Sequence, residues 1–162
     1  MLLVIDMQPR FPATRAVMSN VAEEIKRAIA RDEWIVFMKV GPGRVAYRLT
    51  KLVKDYRKSW MLTKYRDDGA ADLFIALTWR SKAWNAITIG RVQTIKVCGV
   101  NTAACVYSTV RSLALLNVKI KVLAYATAQC RDGYSYGYNK AAFHQSLQAM
   151  NRLSNVQVIR KR

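Results

Sequence analysis

An acid, an amine and a thiol each stand where a run of strand-forming residues gives out: Asp6 after "LLVI", Lys64 near the end of "SWMLTKY", and Cys105 just beyond "TIKVCGV". Brought together, these groups could carry out nucleophilic acyl chemistry. A thiol near neutral pH is mostly protonated and must be activated before it attacks a carbonyl carbon. A carboxylate within reach can take that proton and later deliver it to a leaving amine. A neighbouring ammonium and a helix N-terminus both favour the thiolate. Each residue also has an ordinary reading. Asp6 could cap a loop, Lys64 could lie on the surface, and Cys105 could pack as a small hydrophobe between helix and sheet.

The intervening sequence supplies the elements needed to gather them. Leu2 to Ile5 is a continuous apolar run, the pattern of a strand covered on both faces. Ala16, Val17, Val21, Ile25, Ala28 and Ile29 recur at helical spacing, with Glu23 and Glu24 opposite Lys and Arg neighbours, which predicts a core-facing helix. Trp34 to Val40 predicts a second strand, broken by "GPG" at 41 to 43. A helical stripe of Val45, Leu49, Leu52, Val53 and Tyr56 follows, flanked by Arg44, Arg48, Lys51, Arg57 and Lys58.

"SWMLTKY" predicts a third strand and "ADLFIALTWRSKAW" a helix after the acidic turn "RDDGA"; residues 83 to 91 suit neither pattern clearly. "TIKVCGV" predicts a fourth strand, "NTAACVYSTVRSLALLN" a turn into a helix ending near Asn117, and "VKIKVLAYA" a fifth strand. A last helix over Asn139 to Leu153 and a closing strand in "VQVIRK" complete the series. The alternation predicts one α/β domain over residues 1–162, three-layered α/β/α with a six-stranded, mostly parallel, Rossmann-like sheet. Such sheets bind ligands beyond the C-terminal ends of their strands, where Asp6, Lys64 and Cys105 would converge.

Composition narrows the setting. The 162 residues suffice for one sizeable core without staples. Three cysteines, Cys98, Cys105 and Cys130, match no disulfide framework or zinc motif, which points to a reducing, cytoplasmic setting, with Cys98 and Cys130 as packing residues. The start "MLLVIDMQ" lacks the pattern of a signal peptide, and no apolar run approaches membrane-spanning length. The 27 Lys and Arg against 10 Asp and Glu give a net charge of +17, which concentrates anions around the surface.

"LLVIDMQPRF", "TKYRDDGAADLF" and "VCGVNTAACVYSTVRSLALLNVKIKVLAYATA", in that order, resemble the isochorismatase-like cysteine hydrolases, a family that includes nicotinamidases and related amidases. The resemblance implies an Asp6, Lys64 and Cys105 triad and a cis peptide between Val100 and Asn101. It also implies an oxyanion hole from the N–H groups of Asn101 and Cys105, a pocket lined by Phe11, and assembly as a homo-oligomer. Gln8, in the family's Asp-x-Gln form, is expected to orient its loop.

The chain departs from that pattern in several places. The Asp-x-His pair and further histidines that hold a metal in nicotinamidase-type members are missing, and the single histidine, His144, lies in the last predicted helix. No metal and no cofactor are therefore expected. The stretch between Asp6 and Lys64 is short, Asn101 stands where a small residue is usual, and "TAAC" lacks the acid often found before the nucleophile.

The leading expectation is a metal-independent hydrolase of a small amide or related C–N bond, with an anionic substrate favoured by the basic exterior. A second is an inactive scaffold that grips nucleic acid or an acidic partner through Arg44 to Lys58 and the tail "RKR". A third is the family's thiol-independent cleavage of the vinyl ether of isochorismate, which the presence of Cys105 disfavours.

Overall fold

The computed structural model describes residues 1–11, 13–79, 92–116, 118–129 and 140–161. Cys130, Asn117, Asn139 and the ambiguous stretch 83–91 lie outside them. The strands are β1 (Leu2–Ile5), β2 (Ile35–Val40), β3 (Ser59–Lys64), β4 (Thr94–Val100), β5 (Lys119–Ala128) and β6 (Val156–Ile159). They form one sheet in the order β3-β2-β1-β4-β5-β6, and every neighbouring pair is parallel. This is the doubly wound order, in which the chain leaves β1 in one direction and later returns to its other side at β4. The crevice at that reversal, beyond the β1 and β4 ends, is where such sheets bind ligands.

Period-two alternation sorts the strand side chains into two cores. Leu2, Val4, Ile35 and Phe37 point to one face, where they pack against α1 (Arg15–Ala30) and the short segment formed by α2 (Tyr47–Thr50) and a 3-10 turn (Lys51–Val53). Leu3, Ile5, Val36 and Met38 point to the other, against α3 (Ala70–Trp79), α4 (Tyr107–Leu113) and α5 (Lys140–Asn151). The three layers expected from the alternation are thus present. Among the described residues no helix is long and apolar enough to cross a membrane.

Local differences from the sequence pattern have physical reasons. The stripe from Val45 to Tyr56 buries Val45, Leu49 and Val53 but bends out of α-helix after one turn. The Tyr56 hydroxyl then donates to the Glu33 carbonyl at 2.7 Å, anchoring the segment to the loop before β2. In α1, capped by Thr14, whose hydroxyl accepts from the Val17 N–H, Ala16 is exposed and Glu24 is buried. Glu24 is satisfied there by the Tyr125 hydroxyl at 2.9 Å and by Arg27 at 2.5 Å. The segment after β4 begins with a π-helical turn, Thr102–Val106, before α4 takes over, and α4 stops at Leu113 rather than near Asn117.

β1 and β4 approach unusually closely. Gly99 has φ +120, and a Cβ on it would lie 2.0 Å from the Ile5 carbonyl oxygen. The pairing of β4 with β5 also shifts here, from Val97 opposite Val122 to Gly99 opposite Thr127. Gly99 therefore lets the ends of β1 and β4, and the residues that follow them, come together.

Candidate active site

Asp6 is the first residue beyond β1, at φ 50. This left-handed conformation is more accessible to Asp than to most side chains. Its N–H donates to the Met38 carbonyl at 2.7 Å, and its own carbonyl accepts from the Gln8 N–H at 2.7 Å. The tight turn aims the carboxyl inward, where it is fully buried. Gln8 holds the turn against β2: its Oε1 accepts from the Val40 N–H at 2.8 Å, and its Nε2 donates to the Val40 carbonyl at 3.3 Å.

Lys64 ends β3, and its side chain too is fully buried, which excludes the surface-lysine reading. Its Nζ lies 2.9 Å from Asp6 Oδ2 and donates to the carbonyls of Arg66 at 2.9 Å and Asp67 at 3.2 Å. Three acceptors match the three protons of an ammonium, so the buried charge is paired and hydrogen-bonded. The loop carrying those carbonyls is pinned to α4. Gly69 N–H donates to Thr109 Oγ1 at 3.0 Å, Thr109 Oγ1 donates to the Asp67 carbonyl at 3.4 Å, and Ser112 donates to Asp68, whose other carboxylate oxygen accepts from Ala70 N–H at the start of α3.

Cys105 sits in the π-helical turn, 5% exposed. The peptide joining Val100 to Asn101 is cis. The Asn101 carbonyl accepts from Ala104 N–H at 3.1 Å and Val106 N–H at 3.0 Å, which fixes the turn that carries the sulfur. The thiol donates to Asp67 Oδ1 at 3.4 Å, and the Asp6 carboxyl is near enough to interact with it electrostatically. The structure thus gathers the carboxylate, the ammonium and the sulfur at the reversal crevice. Phe11 is placed in the core cluster with α1, 5% exposed, and the Arg10 guanidinium stacks over its ring at 4.9 Å. Cys98 is buried within β4, its Sγ 3.7 Å from the Leu3 carbonyl. His144 is exposed on α5, edge-on to Phe143, and among the described residues no three His, Cys, Asp or Glu side chains are grouped to hold a metal ion.

The electrostatics run opposite to the expectation that the thiol ionises easily. Burial pushes the Cys105 thiol well above the usual range and the Asp6 carboxylate adds to that push, which the Lys64 ammonium opposes only in part. Burial also raises the Asp6 carboxyl, against the lowering influence of Lys64. Burial thus raises the proton affinity of both the thiol and the carboxyl that it faces.

The pattern of the sequence did not reveal Asp67. Asp67 is an exposed residue whose Oδ1 accepts from the Cys105 thiol at 3.4 Å. In the sequence it is one of two aspartates in a turn three residues past Lys64, and nothing in its spacing separates it from Asp68, which caps α3 instead.

No protein-family model matches the chain, and no curated protein sequence matches it. Solved structures do. The nicotinamidase SaPncA from Staphylococcus aureus superposes with a TM-score of 0.74 at 19% identity, covering 97% of this chain and 94% of that one. An isochorismatase from Pseudomonas putida gives 0.69 at 16% identity over 98% of this chain and 86% of that one. The MAR1 ribonuclease from Caenorhabditis elegans gives 0.73 at 13% identity over 97% of this chain and 74% of that one. At these identities the similarity establishes the fold: the chain has the isochorismatase-like α/β architecture over nearly its whole length.

Proposed function

We propose that the chain is a cysteine hydrolase of a small amide or related C–N bond, working through a thioester on Cys105. The observation that carries this reading is the fully buried ion pair of Asp6 and Lys64 at 2.9 Å, with the Cys105 thiol within the electrostatic reach of both. Sulfur attacks the amide carbon, and Asp6 takes the thiol proton and delivers it to nitrogen. The C–N bond then breaks, releasing ammonia or an amine. Lys64 holds Asp6 as a carboxylate until the proton moves. The N–H groups of Asn101 and Cys105, beside the Val100 carbonyl, are assigned to the developing oxyanion, a role in which each lost donor typically costs about 3 kcal/mol. Phe11 would form the apolar floor of the pocket.

The charge around the sulfur refines the substrate class. With Asp67 beside the thiol, an anionic group at the reacting end would meet a second carboxylate, so the substrate presents a neutral carboxamide there. The test is turnover of a panel of small primary amides by ammonia release. Cys105→Ala, which replaces a small buried side chain by one nearly its size, is expected to lower kcat/KM by at least about a thousandfold while the protein stays folded. Retention of wild-type turnover in this variant would remove the nucleophile assignment.

A second reading rests on a separate observation. Arg44, Arg48, Lys51, Lys54 and Arg57 are exposed and lack an ion-pair partner among the described residues, whereas Lys58 pairs with Asp32. Tyr47, 76% exposed, stands among them. Cations interleaved with an exposed aromatic suit single-stranded nucleic acid, which binds by phosphate contact and base stacking, and one structure that shares the fold is a ribonuclease. This reading expects single-stranded RNA to bind with an affinity that falls steeply with salt, and Arg44→Ala/Arg48→Ala to flatten that slope by about two counterions. RNA mobility unchanged by the protein at moderate salt would discard it.

A further inference from the structure

Of the two carboxylates that reach the nucleophile, Asp6 is sealed and Asp67 is wet. Both Asp6 oxygens are buried, with Oδ2 against the Lys64 ammonium. Asp67 is exposed, yet its Oδ1 lies 3.4 Å from Cys105 Sγ. Its main chain is held from two sides, by Lys64 Nζ at 3.2 Å and by Thr109 Oγ1 at 3.4 Å, both on its carbonyl. These bonds fix the main chain from which the Asp67 side chain reaches the sulfur.

Resting on the thioester reading above, we propose that the acid–base work is divided, with Asp6 serving acylation and Asp67 acting as the general base that draws a proton from the water that hydrolyses the thioester. Once the amine has left, the acyl carbon is bonded to Sγ, and a hydrolytic water must arrive from solvent. The carboxylate it meets beside the sulfur is that of Asp67. Asp67 takes one water proton as the oxygen bonds to the acyl carbon. The C–S bond then breaks, sulfur leaves with the bonding pair, and the proton held by Asp67 passes to it. A carboxylic acid and the resting thiol result, so every atom and charge is accounted for. The acid ionises beside Asp67, and repulsion between the two carboxylates helps expel the product.

The division can be read with p-nitrophenyl acetate, whose leaving group needs no proton, so that acylation and deacylation are seen separately. Nitrophenolate release reports acylation. Acid-quenched peptide mapping reports the acetyl group on Cys105. For Asp67→Asn, which preserves size and the backbone carbonyl, the burst is expected to keep its amplitude and at least its wild-type rate. The acetyl-enzyme is expected to outlive that of the wild type by about a hundredfold, the usual scale for loss of a general base. Asp67→Glu, which restores a carboxylate, should recover part of the deacylation rate, which a purely structural role for Asp67 would not require. Loss of acetyl from Asp67→Asn at the wild-type rate would overturn the division of labour and leave the thioester reading standing. Failure of the wild-type protein to acetylate Cys105 at all would overturn both.

Discussion

Lys64→Met is expected to lower the unfolding free energy by about 3 to 5 kcal/mol, read as a fall in the urea midpoint at constant slope. Methionine keeps most of the apolar stem that lies against Gly69 and Met38 but removes the ammonium. Asp6 would then be a buried carboxylate without its counter-charge, and the Arg66 and Asp67 carbonyls would lose their donor. The sign of the pH dependence follows from Asp6. Its native pKa already lies above the ordinary aspartate value because of burial, and Lys64 is the main influence restraining it. Without Lys64 it rises further, so the native state binds more protons than the unfolded chain between the ordinary value and the raised one. Stability in that window falls as pH rises. The deficit of Lys64→Met should therefore shrink when the pH is lowered towards the ordinary aspartate range. Asp6→Asn/Lys64→Met, which removes both charges, should recover part of the loss, whereas simple additivity of the two single variants would show that the pair is not coupled.

The fold was legible because its signals are periodic and redundant. Leu2 to Ile5 could hardly be anything but a strand covered on both faces, and the alternation of such runs with apolar stripes at helical spacing leaves few topologies. The same positions showed where Asp6, Lys64 and Cys105 would meet, since each ends or follows a strand on one rim of the sheet. What spacing could not show was the environment. Burial, and after it the facing Asp6 carboxyl, push the thiol up, and burial is a property of the packed rim rather than of the helix terminus in which Cys105 lies. Asp67 was hidden for a related reason: its approach to the sulfur depends on Thr109 and Ser112, some forty residues away, pulling the loop onto α4. The length of the basic segment after β2 was also overstated. A stripe repeating every three or four residues fits a continuous helix and a bent turn equally well when only Val45, Leu49 and Val53 are buried.

Gly99→Ala is expected to cost about 4 kcal/mol, combining backbone strain of about 1 to 3 with overpacking of about 1 to 3. At φ +120 an L side chain is strained before any contact is considered, and the new Cβ would meet Ile5 main-chain atoms at 2.0, 2.7 and 2.8 Å. Backbone cannot rotate away as a side chain can, so β4 must separate from β1 at the level where Ile5 pairs with Gly99. Gly43→Ala is the informative comparison. Its Cβ meets the flexible ends of Gln8, at 2.5 Å, and Arg10, at 3.8 Å, and its φ is not in the left-handed range, so a loss of about 1 kcal/mol is expected, chiefly from disturbing the Gln8 bonds to Val40. Denaturant midpoints of the two variants separate the cases. If Gly99→Ala folds with wild-type stability, β1 and β4 have room to move apart, and the close packing that brings Asp6 beside Cys105 is not maintained by this contact. If it is destabilised as expected, thioester formation on Cys105 should fall even in the fraction that remains folded, because the same displacement separates the acid at the end of β1 from the sulfur that follows β4.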